Sequence, residues 1–396
     1  MEFISVEIAS RLINQYPLIL EEEKIPFEKS TGRVLREDIL ADRDFPPFDR
    51  VTMDGIALHS SSYLKGQRVF PVQGIQYAGE PALTLENENM CIEVMTGTPL
   101  PKGADTVIRY EDLEIVEGNA TLQDQLPVKR NIHGLGSDRR KGEIILKKGA
   151  PITVPDLAIL ATVGKPEVLV SRLPSVSIVT SGDELVEVHQ TPLPHQIRRS
   201  NVYAIAELIK PFSNMVSHSH IADNLDATTS ELKLLLEKHD VIILSGGVSA
   251  GKKDFIPQAL ENIGFEMVFH KIAQRPGKPM WFGRKENKLV FALPGNPVSA
   301  FMCAVKYVKP WFQKCMGLAE KPEYAFLGKN VNFKPNLSYF MQVKLQNEKG
   351  KLIALPEEGH GSGDLANLSN ADAFLELPQK EESLYEKGEV FRVWRF

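Results

Sequence analysis

Cysteine is scarce: Cys91, Cys303 and Cys315 are the three present in 396 residues. They are odd in number, far apart and set among apolar neighbours, which speaks against a disulfide framework and for buried reduced thiols. Long hydrophobic runs are missing too, and nothing is apolar for long enough to span a bilayer. The chain opens Met1-Glu-Phe-Ile-Ser-Val-Glu7, with acid where a secretory signal carries base. A cytoplasmic protein without a membrane partner is expected. There is no positive excess either: 46 Lys and Arg stand against 51 Asp and Glu, a formal charge of −5. Without a basic surplus the chain lacks what nonspecific binding to nucleic-acid phosphates requires. An anionic ligand must then be held by local dipoles and a few lysines. Repeats and low-complexity tracts are also absent, which excludes a solenoid or an extended disordered tail.

What is present is the composition of an ordinary soluble globular protein, 43% hydrophobic and 24% charged. The length exceeds one ordinary core and predicts two to four domains. Residues 3–23 carry an amphipathic pattern in Ile4, Ala9, Leu12, Ile13 and Leu18 that Pro17 must kink or end. Asp54-Gly55 follows a proline-rich lead and reads as a turn. Residues 66–135 have short alternating runs and no helical periodicity, so a small β domain is expected there. Within it the loop Val94–Asp105 offers the hydroxyls of Thr96 and Thr98 to a ligand. Thr153–Gly164 reads as a helix with Pro155 at its start and Gly164 at its end. Pairing it with the N-terminal helix would make the β region an insertion.

From Pro174 the pattern alternates. Strands are expected at 176–180, 215–221, 240–245, 265–270 and 288–293, with helices at 204–209, 227–238, 255–262 and 297–309. Thr228 and Glu231 have capping-box spacing at the start of the second of these helices. Such alternation specifies a mostly parallel sheet covered on both faces. A linker near 317–322 leads to strand-like pieces as far as Phe396, the signature of a small β barrel or sandwich.

Three breaks into glycine and proline suggest an anion-binding rim. Gly246-Gly-Val-Ser-Ala-Gly-Lys252 follows a strand with nearly Walker spacing, but Lys253 replaces the hydroxyl that would hold magnesium, which argues against a nucleotide hydrolase. What remains is a glycine turn whose N–H groups can approach an anion, with Asp254 placed to cap the helix carrying Pro257. Leu293-Pro-Gly-Asn-Pro-Val-Ser-Ala300 puts Asn296 at an N-cap and Pro297 at N1, leaving helix N–H groups free. Lys278, in Arg275-Pro-Gly-Lys-Pro279, adds the charge that a helix dipole worth about 0.3–1 kcal/mol cannot supply alone. Asp138 beside Arg139 and Arg140 reads as a solvated or locally paired charge. His218 and His220 share a strand face, yet no further Cys or His stands at ligand spacing to make a zinc site.

Assembled, these segments resemble the MoeA family, the molybdopterin molybdenumtransferases that include the E domain of gephyrin. The resemblance rests on Met53-Asp-Gly55, Ala78-Gly-Glu80, Met95-Thr-Gly-Thr-Pro-Leu-Pro101, Thr180-Ser-Gly-Asp-Glu-Leu185, Ser245-Gly-Gly-Val-Ser249, Pro276-Gly-Lys-Pro279 and Leu293–Ala300. It covers residues 1 to about 315 and weakens beyond. It implies an α/β multidomain fold: a linking domain from 1–44 plus 139–172, an inserted β domain at 45–138, a mostly parallel α/β domain at 173–316 and a β barrel at 317–396. It implies a homodimer in which the inserted domain of one subunit faces the α/β domain of the other. The activity implied is insertion of molybdenum from molybdate into adenylylated molybdopterin with magnesium, releasing AMP. An upstream adenylyltransferase and acceptor molybdoenzymes become partners. The alternative is a non-catalytic paralogue serving as a binding or scaffold protein.

Carried over by position, the catalytic set is Asp54, Thr96, Asp138, Glu184, Asp223 and Asp254. Gly246, Gly247, Ser249, Lys278, Pro294, Asn296, Pro297, Ser299 and Ser362 bind the pterin nucleotide. Two carboxylates about 4 Å apart repel by roughly 4 kcal/mol at an effective dielectric of 20, so the acids need a bound cation or raised pKa values; magnesium resolves this, with Glu184 and Asp254 assigned to it. The sequence departs from the family pattern at Arg199, where Asp is expected, and at Lys252. It departs also at Arg275, where Lys is usual, and at Leu337 and Gln342, near expected arginines.

Overall fold

The computed structural model describes residues 3–248, 254–359 and 361–396, and the chain falls into two units. The first takes residues 1–24, 32–34 and 169–396; the second takes 25–31 and 35–168.

The first unit begins with α1, Val6–Ile13, started by Ser5, whose Oγ accepts the Ile8 N–H at 3.2 Å. The helix stops well short of the expected residue 23, because Pro17 cannot continue it. Its buried Val6, Ala9 and Ile13 join a core that includes Trp311 and Phe312. The Trp311 indole donates to Tyr16 O at 3.0 Å and Lys314 Nζ to Asn14 O at 2.9 Å. The apolar face of α1 is thus taken up inside this unit.

Six strands follow: β1 (Ser175–Ser181), β2 (Met215–Ile221), β3 (Val241–Ser245), β4 (Glu266–His270), β5 (Trp281–Lys285) and β6 (Lys288–Leu293). Their order across the sheet is β2-β1-β3-β6-β5-β4. The first four run parallel and the last two antiparallel, so the expectation of a mostly parallel sheet holds. The central β3 is buried at all five positions, which is why it reads Val-Ile-Ile-Leu without alternation. Each such side chain stabilises the fold by about 1.5–3 kcal/mol. Helices α2 (Asn201–Ile209), α3 (Leu225–Lys238) and α4 (Ile256–Asn262) follow β1, β2 and β3 in turn, and α5 (Pro297–Cys303) follows β6 and continues through a π turn at 304–308 into α6 (Lys309–Cys315). Two caps differ from expectation. Asn224, not Thr228, caps α3 by accepting the Ala227 N–H at 3.0 Å, and Phe255, not Asp254, occupies the N-cap of α4.

The rest of the unit is the expected β barrel. Strands β7 (Glu323–Leu327), β8 (Ser338–Glu348), β9 (Lys351–Pro356), β10 (Ala373–Leu377) and β11 (Val390–Arg395) close in the ring β8-β9-β7-β11-β10-β8. Closure leaves no free sheet edge. Gln274–Arg275 adds a short parallel pair to β8, tying the 275–279 loop to the barrel.

The second unit holds a six-stranded sheet that begins at Gly55, ahead of the 66–135 stretch in which strands are expected. Gly55 is a strand residue and not the turn its sequence suggested. A Cβ there would lie 1.9 Å from Ile108 O, so only glycine allows the strands to approach. The helix Val154–Thr162 has its capping box in Thr153 and Asp156, and Gly164 follows with φ +65°. No helix among the described residues is long and apolar enough to cross a membrane.

Candidate functional site

In a parallel sheet the ligand crevice opens beyond the carboxyl ends of the strands. Here register aligns those ends, pairing Thr180 with Ser245 and Ser245 with Leu293. Above them lies a cleft of about 1270 Å³, lined on one side by the loops after β1, β3 and β6 and by residues 274–279, and on the other by the barrel.

The loop after β1 carries acid. Ser181 Oγ donates to Asp223 Oδ1 at 2.9 Å, and the Asp223 N–H donates to Asp183 Oδ1 at 3.2 Å. Glu184 folds back so that its carboxylate covers Gly182, where a Cβ would meet Glu184 Oε1 at 2.6 Å. Glu184, Asp223 and Asp254 all line the cleft, so the structure brings these three predicted acids together. Among the described residues no group of three or more His, Cys, Asp or Glu forms a self-sufficient metal cage.

The glycine turn after β3 is required by packing. Gly246 and Gly247 have φ of +101° and +65°, and a Cβ on Gly246 would lie 2.7 Å from Ser181 O. The Gly246 N–H, expected to face an anion, instead donates to Leu293 O at 3.1 Å. Gly246 therefore serves the cleft by shape rather than as a donor. Ser249, Lys252 and Lys253 lie outside the described residues.

Asn296 and Pro297 begin α5 as expected, but the helix end is partly occupied. The Val298 N–H donates to Ser362 O at 3.1 Å, and Asn296 Nδ2 donates to Ser362 Oγ at 2.8 Å. The expectation of free N–H groups is corrected at Val298, where the segment carrying Ser362 supplies an acceptor. Ser362 lines the cleft with Pro294, Asn296, Pro297 and Ser299. Sequence reasoning missed Asn201, whose Nδ2 donates to both Ser245 Oγ and Gly295 O at 2.8 Å, stitching two strand ends together. Its position opening a helix at the sheet rim was the available signal.

Among the described residues three cations reach the cleft: Arg198, Arg275 and Lys278. Lys278 is exposed and lies 4.9 Å from the Phe3 ring. Arg275 sits 5.9 Å from the Phe333 ring, which itself stacks on Tyr339 at 4.4 Å. All three come from the sheet side. Among the described lining residues the barrel contributes Leu337, Tyr339, Gln342 and Glu357 but no cation. Arg199 does not line the cleft. It is 9% exposed and paired with Glu187 at 2.6 Å. His218 packs against Tyr203, and His220 Nδ1 lies 3.4 Å from Thr180 Oγ1.

Asp54, Thr96 and Asp138 belong to the second unit. Asp54 Oδ1 accepts the Thr96 N–H at 2.6 Å, and hydrogen bonds from Thr96 hold its pKa below the usual carboxylate range. Thr98 is not available to a ligand, since it is buried and its Oγ1 donates to Met95 O at 2.7 Å. Asp138 pairs with His133 Nε2 at 2.8 Å, and His133 Nδ1 meets Arg50 at 2.9 Å. The local pairing read from sequence is present, with a histidine as partner in place of the neighbouring arginine side chains.

Comparison with known proteins places these features in company. Residues 4–164 match the MoeA N-terminal region (domain I and II), 177–314 a probable molybdopterin binding domain, and 324–396 the MoeA C-terminal region (domain IV). A molybdopterin molybdenumtransferase of Synechocystis is 37% identical over 397 residues, covering 98% of each chain. One of Bacillus subtilis is 33% identical, covering 98% of this chain and 93% of its own. A molybdopterin biosynthesis MoeA protein from Pyrococcus horikosii superposes with a TM-score of 0.85 at 28% identity, over 100% of this chain and 99% of its own.

Proposed function

Because the chain belongs to the MoeA family and is a molybdopterin molybdenumtransferase of molybdenum cofactor biosynthesis, we propose that it inserts molybdenum from molybdate into adenylylated molybdopterin and releases AMP. The observation that carries this reading is the pairing of charges in one cleft: Arg198, Arg275 and Lys278 beside Glu184, Asp223 and Asp254. Cations suit the phosphates of a nucleotide-linked pterin. Acids in the same cleft suit a divalent cation shared with those phosphates. Magnesium is usually held by one or two carboxylates plus substrate oxygens, so a carboxylate set without a complete cage fits it. Glu184 and Asp254 are the residues proposed to hold it, and when bound it would neutralise charge on the pyrophosphate.

The chain's own residues do the rest. Lys278 binds a phosphate, Asn201 and the 294–299 turn fix the floor against which it lies, and Ser362 closes the far wall. Attack of water on the pyrophosphate link, with its proton passing to solvent, leaves AMP on one side and molybdopterin phosphate on the other. The reading includes a homodimer in which Asp54, Thr96 and Asp138 of one subunit serve the cleft of the other. It also includes the four-domain division, a cytoplasmic location, an adenylyltransferase upstream and acceptor molybdoenzymes downstream.

The test follows AMP by chromatography after mixing the full chain with adenylylated molybdopterin, molybdate and magnesium. AMP is expected in the complete mixture and is expected to stop on addition of EDTA. A complete mixture that yields no AMP overturns the proposal.

A further inference from the structure

Residues 182–200 form an excursion between β1 and α2 that delivers Glu184, Leu185, Ile197 and Arg198 to the cleft. It has little core of its own: Val188, Leu193 and Ile197 are exposed by 51%, 56% and 59%. Its base is closed by a short two-residue strand pair, Leu185–Val186 with Ile197–Arg198. There the Ile197 N–H donates to Glu184 O at 2.9 Å and the Arg199 N–H to Val186 O at 3.0 Å. Two hydrogen bonds of this kind contribute only about 0.5–1.5 kcal/mol each, too little to hold a segment of this length in register.

Arg199 supplies the rest. Its guanidinium is almost wholly buried, its Nη2 donates to Glu187 Oε2 at 2.7 Å, and its Nη1 points to Thr180 Oγ1 at 3.5 Å. Glu187 sits on the excursion and Thr180 on the end of β1, so one side chain spans the moving part and the sheet. Its Nε is buried without a hydrogen-bond partner, so the charge depends on Glu187 for compensation. A planar fork with several donors can link two groups in fixed geometry where a single ammonium cannot.

We propose that Arg199 is a positioning residue, bracing the 182–198 excursion against the sheet through Glu187 and so fixing where Glu184 stands in the cleft. The effect on catalysis rests on the transferase reading above; the brace itself does not. Arg at this position is thereby accounted for where the family resemblance led to Asp: the charge faces Glu187 behind the cleft wall and not the ligand.

The test uses the full chain with Arg199→Met, Arg199→Lys and Glu187→Gln, read by hydrogen exchange over 183–198 and by AMP-release kinetics. Arg199→Met and Glu187→Gln are expected to speed exchange in this segment about tenfold while β3 and β6 keep their protection. They are expected to lower kcat about tenfold with KM changed less than about threefold, because Lys278 and Arg275 still bind the phosphates while Glu184 is misplaced. Arg199→Lys, which keeps the ion pair and loses the second contact, is expected to recover part of both. Exchange over 183–198 within about twofold of wild type in Arg199→Met overturns the brace. A Lys variant that exchanges no more slowly than Met also overturns it, and faster exchange with unchanged kcat overturns the positioning of Glu184 by the brace. If the wild type releases no AMP, the transferase reading fails on that control, and the exchange measurement alone still decides for or against the brace.

Discussion

Glu184→Gln is expected to reduce AMP release by about two orders of magnitude, and Asp254→Asn by a similar factor, since each removes a charge proposed to hold the cation at the phosphates. The amide at 184 has nearly the shape of the carboxylate, so its fold over Gly182 can persist while the charge is lost. Light scattering should give the same mass for variants and wild type, which separates a lost charge from a lost subunit contact. If both variants turn over at the wild-type rate, these two acids do not hold the cation and the assignment is wrong.

Glu376→Gln is expected to destabilise the first unit by about 3–5 kcal/mol, as one partner of a buried ion pair is removed. Lys306 is 6% exposed, its Nζ lies 3.0 Å from Glu376 Oε2, and the Trp394 indole donates to the same oxygen at 2.6 Å. Burial depresses the Lys306 pKa, and Glu376 acts against that shift. The Lys306 ammonium also lies 4.0 Å from the Trp394 ring, so the pair ties the helical stretch after β6 to barrel strands β10 and β11. With Glu376 neutral, the lysine keeps a buried charge without the acid hydrogen-bonded to it, and Glu320 acts on it only more weakly. The double replacement Lys306→Met with Glu376→Leu removes both charges and is expected to lie within about 1 kcal/mol of wild type. Urea titration of the three proteins checks this. A Glu376→Gln midpoint equal to wild type, or a double variant as weak as the single one, contradicts it.

The alternating half of the fold was legible because parallel strands buried on both faces must be apolar runs, and Val241-Ile-Ile-Leu244 has no other reading at that length. β5 escaped because Trp281-Phe-Gly-Arg-Lys285 mixes a glycine and two charges into an antiparallel strand near the sheet edge. At α3 the spacing of Thr228 and Glu231 satisfied a local rule that Asn224, one turn earlier, satisfied first. Gly55 read as a turn because the need for glycine there comes from Ile108 O, more than fifty residues away in sequence. At the cleft the same limit holds for individual donors. Gly246 and Asn296 lie on the rim as expected, but the acceptors that take the Gly246 and Val298 N–H groups, Leu293 O and Ser362 O, come from elsewhere in the chain. Residue type and local spacing reveal which segments meet a ligand. Which donors remain free is settled by tertiary contacts that spacing does not encode.

The central claim is that the cleft over the carboxyl ends of β1, β3 and β6 holds the pterin nucleotide. A crystal structure of the full chain with adenylylated molybdopterin, or with AMP and molybdopterin, tests this most directly. The account predicts phosphate oxygens within hydrogen-bond reach of Lys278 and the 294–299 turn, with Glu184 and Asp254 facing the pyrophosphate. Density for the nucleotide elsewhere, with this cleft holding only water, would contradict it.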